Sequence, residues 1–525
     1  AGLARRGGSM GGGAGKPSFE IHVSKLLLLM RAQEAAPFAD ALETARADVA
    51  ASLAIGVADS YSRAYTEMVQ LGLLTELEEA FAFRGLSANA AEARNLLAEW
   101  QSRLELLSAS TEARALTLHV RASALRVLGW AQDEGAAWVV LAGLYCDSKR
   151  FPAATTSLLR AQDLGLTVFV ESAKVMWARG EQEDALSFLE KEAAFVEARA
   201  IEQAEELSTG ALSEVSARTG AGESGRRGGN GGSAGDGPEK KRAETLLLMA
   251  QWMEATNKLY KRTIQRYTQV TKTYQKWEEG SFYLGQYYDR LLREFKKQFV
   301  LAAERKKRRR KGGSSAGATM ATSADIQHPD FLTYLQQVLK YYGRSLLYGA
   351  EHIFQSLPRI LTLWLDFGMD VHAAGPSGSP RSKGGKGSAA RDGTPAETLK
   401  QCNKFMLQLL SRMYEHQWLV AFSQVISRIA HPVKSVYEVL EQIILHVMRA
   451  FPQQVLWRLV AVAKLNGVRR ERALDLLKKA EQFGGEMKRL IAEFRDVTNA
   501  FLEVCNISLP KTKFEITVSK SLPRL

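Results

Sequence analysis

The stretch WVVLAGLYCDSKRFPAATTSLLRA, from Trp138 to Ala161, decides the fold. Trp138 is followed by a small residue four positions on, Ala142, and by an aromatic at seven, Tyr145. An alanine follows at sixteen, Ala154, and a large apolar residue at twenty, Leu158, with Ala161 extending the series. Small residues at such positions let two antiparallel helices approach closely, and the large ones fill the groove to the next pair. A pair of this kind cannot bury its own face alone, so pairs stack into a solenoid.

This is the tetratricopeptide spacing, and it recurs. Thirty-one residues on, Phe169, Ala173, Met176, Ala185 and Leu189 repeat it. Trp457, Ala461, Ala473, Leu477 and Ala480 fit again, with Lys464 breaking the aromatic position, and Leu284, Gly285 and Tyr288 give the start of a fourth unit. Around these units the sequence is helical in pattern. Ala, Leu, Glu, Gln and Arg dominate, all good helix formers, and apolar residues recur three and four apart, as in Leu419, Phe422, Val425, Ile426 and Ile429. Only FEITV at 514–518 alternates like a strand. The expected class is all-α: an α-solenoid of tetratricopeptide or HEAT-like helix pairs interrupted by disordered Gly/Ser-rich insertions.

Those interruptions divide the chain. Segments 1–17, 209–242, 305–324 and 373–396 are rich in Gly, Ser, Ala and charge and nearly free of aromatics. Such compositions bury too little apolar area to offset the entropy of ordering. Helical repeats are expected over 18–208, 243–304, 325–372 and 397–510, with a tail at 511–525. The net charge of +13 sits mostly in the interruptions: Arg5, Arg6 and Lys16, the run Arg305–Lys311, and Arg381, Lys383, Lys386 and Arg391. The repeats themselves are close to neutral, which gives a nucleic-acid-binding globular surface little support. Cys146, Cys402 and Cys505 are too dispersed for a disulfide framework or a metal knot, and a reducing compartment fits them. The longest early aliphatic run, LLLLM at 26–30, falls far short of the roughly 20 residues of a spanning helix. The absence of an initial Met suggests a fragment or a processed gene model.

Several stretches resemble the FAT domain of the ATR-like phosphatidylinositol 3-kinase-related protein kinases. The strongest is YYGRSLLYGAEHIFQSLPRILTLWLDFG, Tyr341 to Gly368. WEEGSFYLGQYYDRLL (277–292), WLVAFSQVISRIAHP (418–432) and AFPQQVLWRLVAVAK (450–464) follow, with weaker matches in SYSRAYTEMVQLGLLTELEEAF (60–81) and WQSRLELL (100–107). The resemblance covers most of 55–510 in the family's order. The chain departs from the family in its long insertions, in carrying neither the kinase core nor the short C-terminal FATC segment, and in a tail after Cys505 that matches nothing.

The resemblance implies a scaffold. In such kinases the FAT solenoid curls round the kinase domain as a clamp and takes part in dimer formation. It implies as partners the kinase domain of the same parent protein, an ATR-interacting protein and a second copy. The parent would use ATP and Mg to phosphorylate Ser or Thr next to Gln in DNA-damage and replication-stress signalling in the nucleus. No cofactor is expected in this chain. The alternative is a stand-alone tetratricopeptide adaptor binding peptides in its groove.

Four motifs could carry chemistry. Asp366-Phe367-Gly368 spells the kinase metal-binding triplet, but no catalytic loop accompanies it; the expectation is that Gly368 ends its helix in the left-handed conformation. Gly11–Lys16 resembles a phosphate loop, with Met10 in place of the first glycine and Pro17 in place of the metal-binding hydroxyl. His416, His431 and His446 lie fifteen apart, unlike a helical metal site, and read as ordinary surface or interface histidines. Tyr260, Tyr267, Tyr274 and Trp277, interleaved with Lys258, Lys261, Arg262, Arg266 and Lys272, could stack on nucleic acid but read better as a packing seam. One direct function remains. Arg305, Lys306, Lys307, Arg308, Arg309, Arg310 and Lys311 suit a nuclear-import receptor; phosphate contact and a solvated linker are the competing readings.

Overall fold

The computed structural model describes residues 18–108, 110–196, 198, 237–256, 260–309, 328–374 and 394–506, with backbone alone at 63, 238, 260 and 303–309. Every element among them is helical, and the chain divides into two compact units, one within Ala1–Gly228 and one within Gly229–Leu525.

The first unit runs through α1 (Phe19–Ala32), α2 (Ala35–Asp59), α3 (Tyr61–Ala82), α4 (Ala91–Leu106), α5 (Thr111–Leu128), α6 (Ala131–Asp147), α7 (Phe151–Asp163), α8 (Phe169–Ala178) and α9, at 182–196. Chain neighbours pack on one another: α1 on α2, α2 on α3, α5 on α6, α6 on α7 and α7 on α8. The spacing read from the sequence sets the α6–α7 seam. Trp138, Ala142, Ala154, Leu158 and Ala161 are all buried in one cluster, with Leu118 and Ala122 of α5 on its other side. The second repeat behaves likewise, burying Ala173, Ala185 and Leu189. A separate cluster, with Leu26, Leu74, Leu77 and Trp100, fills α1–α5.

That cluster carries an ionic seam. Arg121 of α5 donates to both oxygens of Glu76 on α3, at 2.8 and 2.6 Å, and both side chains are buried. One turn on, Glu79 accepts from both terminal nitrogens of Arg103 and from Trp100 Nε1 at 2.9 Å. The carboxyl of Glu79 is held low: burial opposes ionisation, and the hydrogen bonds from Arg103 and Trp100 outweigh it. The two weaker family-like stretches, 60–81 and 100–107, therefore meet at Glu79.

The second unit comprises α10 (Pro238–Ala255), α11 (Tyr260–Thr273), α12 (Glu278–Arg309), α13 (Pro329–Tyr348), α14 (Ile353–Ala374), α15 (Pro395–Arg412), a 3-10 turn (Glu415–Ala421), α16 (Phe422–Ser427), α17 (Lys434–Ala450), α18 (Pro452–Val462), α19 (Val468–Ala480) and α20 (Gly485–Cys505). Helices pack on the next and often the next but one, as α13 does on α14 and α15, and α17 on α18 and α19. One core runs through α12–α20, with Trp364, Trp418, Phe331, Phe367 and Phe422 fully enclosed.

Helix ends depart from the expected block boundaries. Pro238 and Pro395 stand in the first turns of α10 and α15, earlier than 243 and 397. Proline is at home there because the first N–H groups of a helix have no partner to lose. The backbone of α12 continues to Arg309; Lys and Arg are good helix formers, and cations suit a helix C-terminus. Most of the four Gly/Ser-rich segments, with FEITV and the tail, lies outside the described residues.

The third repeat departs in register. Ala473, Leu477 and Ala480 are buried as the spacing requires, but Trp457 is 48% exposed and Ala461 is exposed. In α18 the aliphatic set Val455, Leu456, Leu459 and Val460 faces the core instead. Residues four apart share a face, so this stripe turns Trp457 aside. Trp457 packs edge-on to Phe494 of α20 at 5.0 Å.

Candidate functional site

Three of the stronger family-like stretches, 277–292, 341–368 and 418–432, meet at α14. From one side comes α12. Glu278, its first residue, accepts the backbone N–H of His352 at 2.8 Å and of Glu351 at 3.2 Å. These lie at the N-terminus of α14, where N–H groups lack helical partners and a carboxylate is favoured. A Cβ at Gly349 would overlap the Glu278 carboxylate and push it off these two bonds. Phe282 stacks on His352 at 3.9 Å. Two turns on, buried Asp289 receives Arg359 through Nη2 at 2.7 Å and Nε at 3.1 Å. A Cβ at Gly285 would stand 2.8 Å from the Tyr342 ring, so glycine also sets how closely α12 and α13 approach.

From the other side comes the stretch 418–432. Gln424 Nε2 donates to the Pro358 carbonyl at 3.2 Å and to Thr362 Oγ1 at 2.8 Å. Pro358 lies inside α14. Arg428 donates to Asp366 at 3.1 Å, and His431 Nε2 lies 3.1 Å from the Leu365 carbonyl. In the core, Trp364 Nε1 donates to Asn403 Oδ1 at 2.8 Å, and Asn403 Nδ2 donates to Ser435 Oγ at 3.2 Å, tying α14 to α15 and α17.

This geometry reassigns Asp366-Phe367-Gly368. Phe367 is enclosed, and Asp366 is engaged in its ion pair with Arg428. Gly368 does not end the helix: α14 continues six residues further, to Ala374, and Gly368 is not among the residues with positive φ. Its small size serves packing instead. A Cβ there would stand 3.0 Å from His431 Cε1 and 3.2 Å from Val436.

The three spaced histidines do not converge. His416 stacks on Tyr414, His446 lies 3.8 Å from Glu415, and His431 is buried rather than at the surface. Among the described residues no three His, Cys, Asp or Glu side chains cluster as a metal site. Tyr267 and Trp277 are buried: Tyr267 donates its hydroxyl to Glu254 at 2.6 Å and leans on Tyr287, and Trp277 meets Tyr274 edge-on. They form a packing seam; the side chain of Tyr260 lies outside the described residues, as does Gly11–Lys16. Of the basic run, residues 305–309 carry described backbone as the end of α12, and Arg310 and Lys311 lie outside. A groove of about 220 Å³ lies where α12, α13 and α14 meet, lined by Leu292, Lys296, Phe331, Leu363 and Asp370 among others. It is smaller than the roughly 300–1,000 Å³ of most small-molecule sites. No helix of the described residues is long and apolar enough to cross a membrane.

The arrangement is that of a scaffold. A family profile described as the FAT domain matches residues 10–362, about two-thirds of the chain, and the chain belongs to that family. A second profile, described as Serine/threonine-protein kinase ATR-like, HEAT repeats, matches residues 401–498. Serine/threonine-protein kinase ATR of Arabidopsis thaliana is 26% identical over 508 residues, covering 93% of this chain and 18% of that protein. The chain thus spans under a fifth of the length of that relative. Among solved structures, the complete CtTel1 dimer with C2 symmetry superposes over 96% of this chain and 18% of its own, with a TM-score of 0.62 and 13% identity. The FAT and kinase domain of CtTel1 superposes over 96% of this chain and 34% of its own, with a TM-score of 0.58 and 13% identity. At that identity the likeness is one of fold.

Proposed function

We propose that this chain is the FAT scaffold of an ATR-like serine/threonine protein kinase acting in DNA-damage checkpoint and replication-stress signalling. On this reading it supports and regulates the kinase domain of the same parent protein. The meeting of three of the stronger family-like stretches, 277–292, 341–368 and 418–432, at α14 carries the proposal: what these share with the family goes into joining helices. ATP and Mg belong to the parent's kinase domain, and no residue of this chain is assigned to them. Dimer formation and an ATR-interacting protein belong to the same reading; direct nucleic-acid contact does not. The peptide-binding adaptor is not favoured, because the FAT and ATR-like profiles lie in sequence along the chain.

The test is addition of the purified chain to an isolated ATR-like kinase core with ATP and Mg. Phosphorylation of a Ser-Gln peptide rises with the chain present, and the chain alone gives none. Phosphorylation by the chain alone, or an unaffected core, contradicts the proposal.

Nuclear localisation is part of the proposal, with Arg305–Lys311 as import segment. Replacing all seven with Ala moves a tagged chain out of the nucleus; an unchanged distribution removes the assignment.

A further inference from the structure

The loop at 428–433 is gripped from two helices, and one of its bonds depends on protonation state. On one side, Arg472 of α19 donates from Nη1 to the carbonyls of Ile429, at 2.7 Å, and His431, at 2.8 Å. Its guanidinium lies over the Tyr437 ring, 3.8 Å from the centroid. On the other side, the His431 ring lies against Gly368 and reaches the Leu365 carbonyl of α14 through Nε2 at 3.1 Å. The Val433 backbone N–H donates to Nδ1 at 3.2 Å. A carbonyl facing one nitrogen and an N–H facing the other admit one arrangement, the neutral imidazole with its proton on Nε2.

We infer that His431 is a pH-sensitive latch: neutral, it fastens the loop 428–433 to α14, and protonated, it releases it. A proton on Nδ1 turns an acceptor into a donor facing the Val433 N–H. The cation so formed is buried, with Arg428 in its own loop and Arg472 on α19 both repelling it. The acid on α14, Asp366, is engaged by Arg428, and α17 presents Val436 and Tyr437 to this region. Burial is the main influence lowering the His431 pKa, and the two arginines add to it; the Leu365 carbonyl, which accepts from Nε2, acts in the opposite direction.

The sign follows. A folded-state pKa below the unfolded value of about 6.5 means that unfolding takes up a proton. The latch is complete above that value and weakens as pH falls below it. The place gives the latch its consequence. Leu365 and Gly368 lie between the two matched regions, 10–362 and 401–498, and the loop lies in the second. Acidification therefore loosens the junction where the region matched by ATR-like HEAT repeats meets α14.

Hydrogen exchange on the full chain at about pH 7.5 and about pH 5.5, corrected for intrinsic exchange, tests this. Peptides spanning 428–433 lose several-fold and at most about tenfold of their protection at the lower pH, the ceiling for one group titrating near 6.5 when released, while those from Pro329–Tyr348 hold theirs. In His431→Gln, whose amide supplies both a donor and an acceptor but does not titrate, the loss is below about twofold. Wild-type protection that is indifferent to pH, or an equal loss in the variant, overturns the latch. Should the variant misfold, the Cε1–H resonance of His431 in the wild type decides: a midpoint below about 6.5 supports the latch, and one at or above it overturns it.

Discussion

Asp289 and Arg359 show how little of the junction is visible in individual residue types. Each is one charge among many in a helical pattern, and only folding brings them together, Asp289 three turns along α12 from Glu278. Asp289→Ala leaves Arg359 partly buried without its carboxylate, which costs roughly 2–4 kcal/mol, tempered by the solvent Arg359 still sees. Denaturant unfolding followed on the second unit reads this as an earlier midpoint at unchanged slope. The cysteines give a separate check. Burial pushes the Cys402 thiol up to about 12, whereas Cys505 is exposed. Native protein at neutral pH therefore takes a maleimide at Cys505 while Cys402 reacts only on unfolding, because the thiolate is the nucleophile. Peptide mapping that finds Cys402 labelled first contradicts the packing of α15. Arg472 and Asn403 left no sequence signal: a lone arginine and a lone asparagine in helices are ordinary solvent-facing residues until a loop carbonyl or an indole N–H arrives from elsewhere in the chain.

At the scale of elements, sequence legibility follows the physics of spacing. Helices and their pairing were readable because helical periodicity and small-residue positions are local properties. The unit at Trp138 was readable in full, since α6 and α7 are neighbours in chain and space. The unit at Trp457 was readable only in its second half. There the deciding competition was between one indole and four aliphatic side chains on a different face of α18, and the larger stripe won. Gly368 failed similarly: a glycine after an apolar helical run reads as a helix stop, and nothing local discloses that His431 needs the space. The consequence is measurable. Trp364→Ala empties a fully enclosed site and costs about 3–5 kcal/mol, whereas Trp457→Ala, at a half-exposed site, costs less than half of that. Thermal unfolding of the two variants ranks them, and equal losses would place Trp457 in the core after all.

At the scale of the molecule, two compact helical units carry the family's shared sequence on helix joints, and the described residues gather no metal-binding cluster. The FAT assignment was legible because long stretches such as YYGRSLLYGAEHIFQSLPRILTLWLDFG combine many constraints at once: a capped turn, a glycine contact, a buried indole and two inter-helix charges. The direct measurement is co-purification of the tagged chain with an untagged ATR-like kinase core, in parallel with the Asp289→Ala chain. A stable complex forms with the wild-type chain and a weakened one with the variant. A well-folded chain that elutes alone, with no affinity for the core, would contradict it.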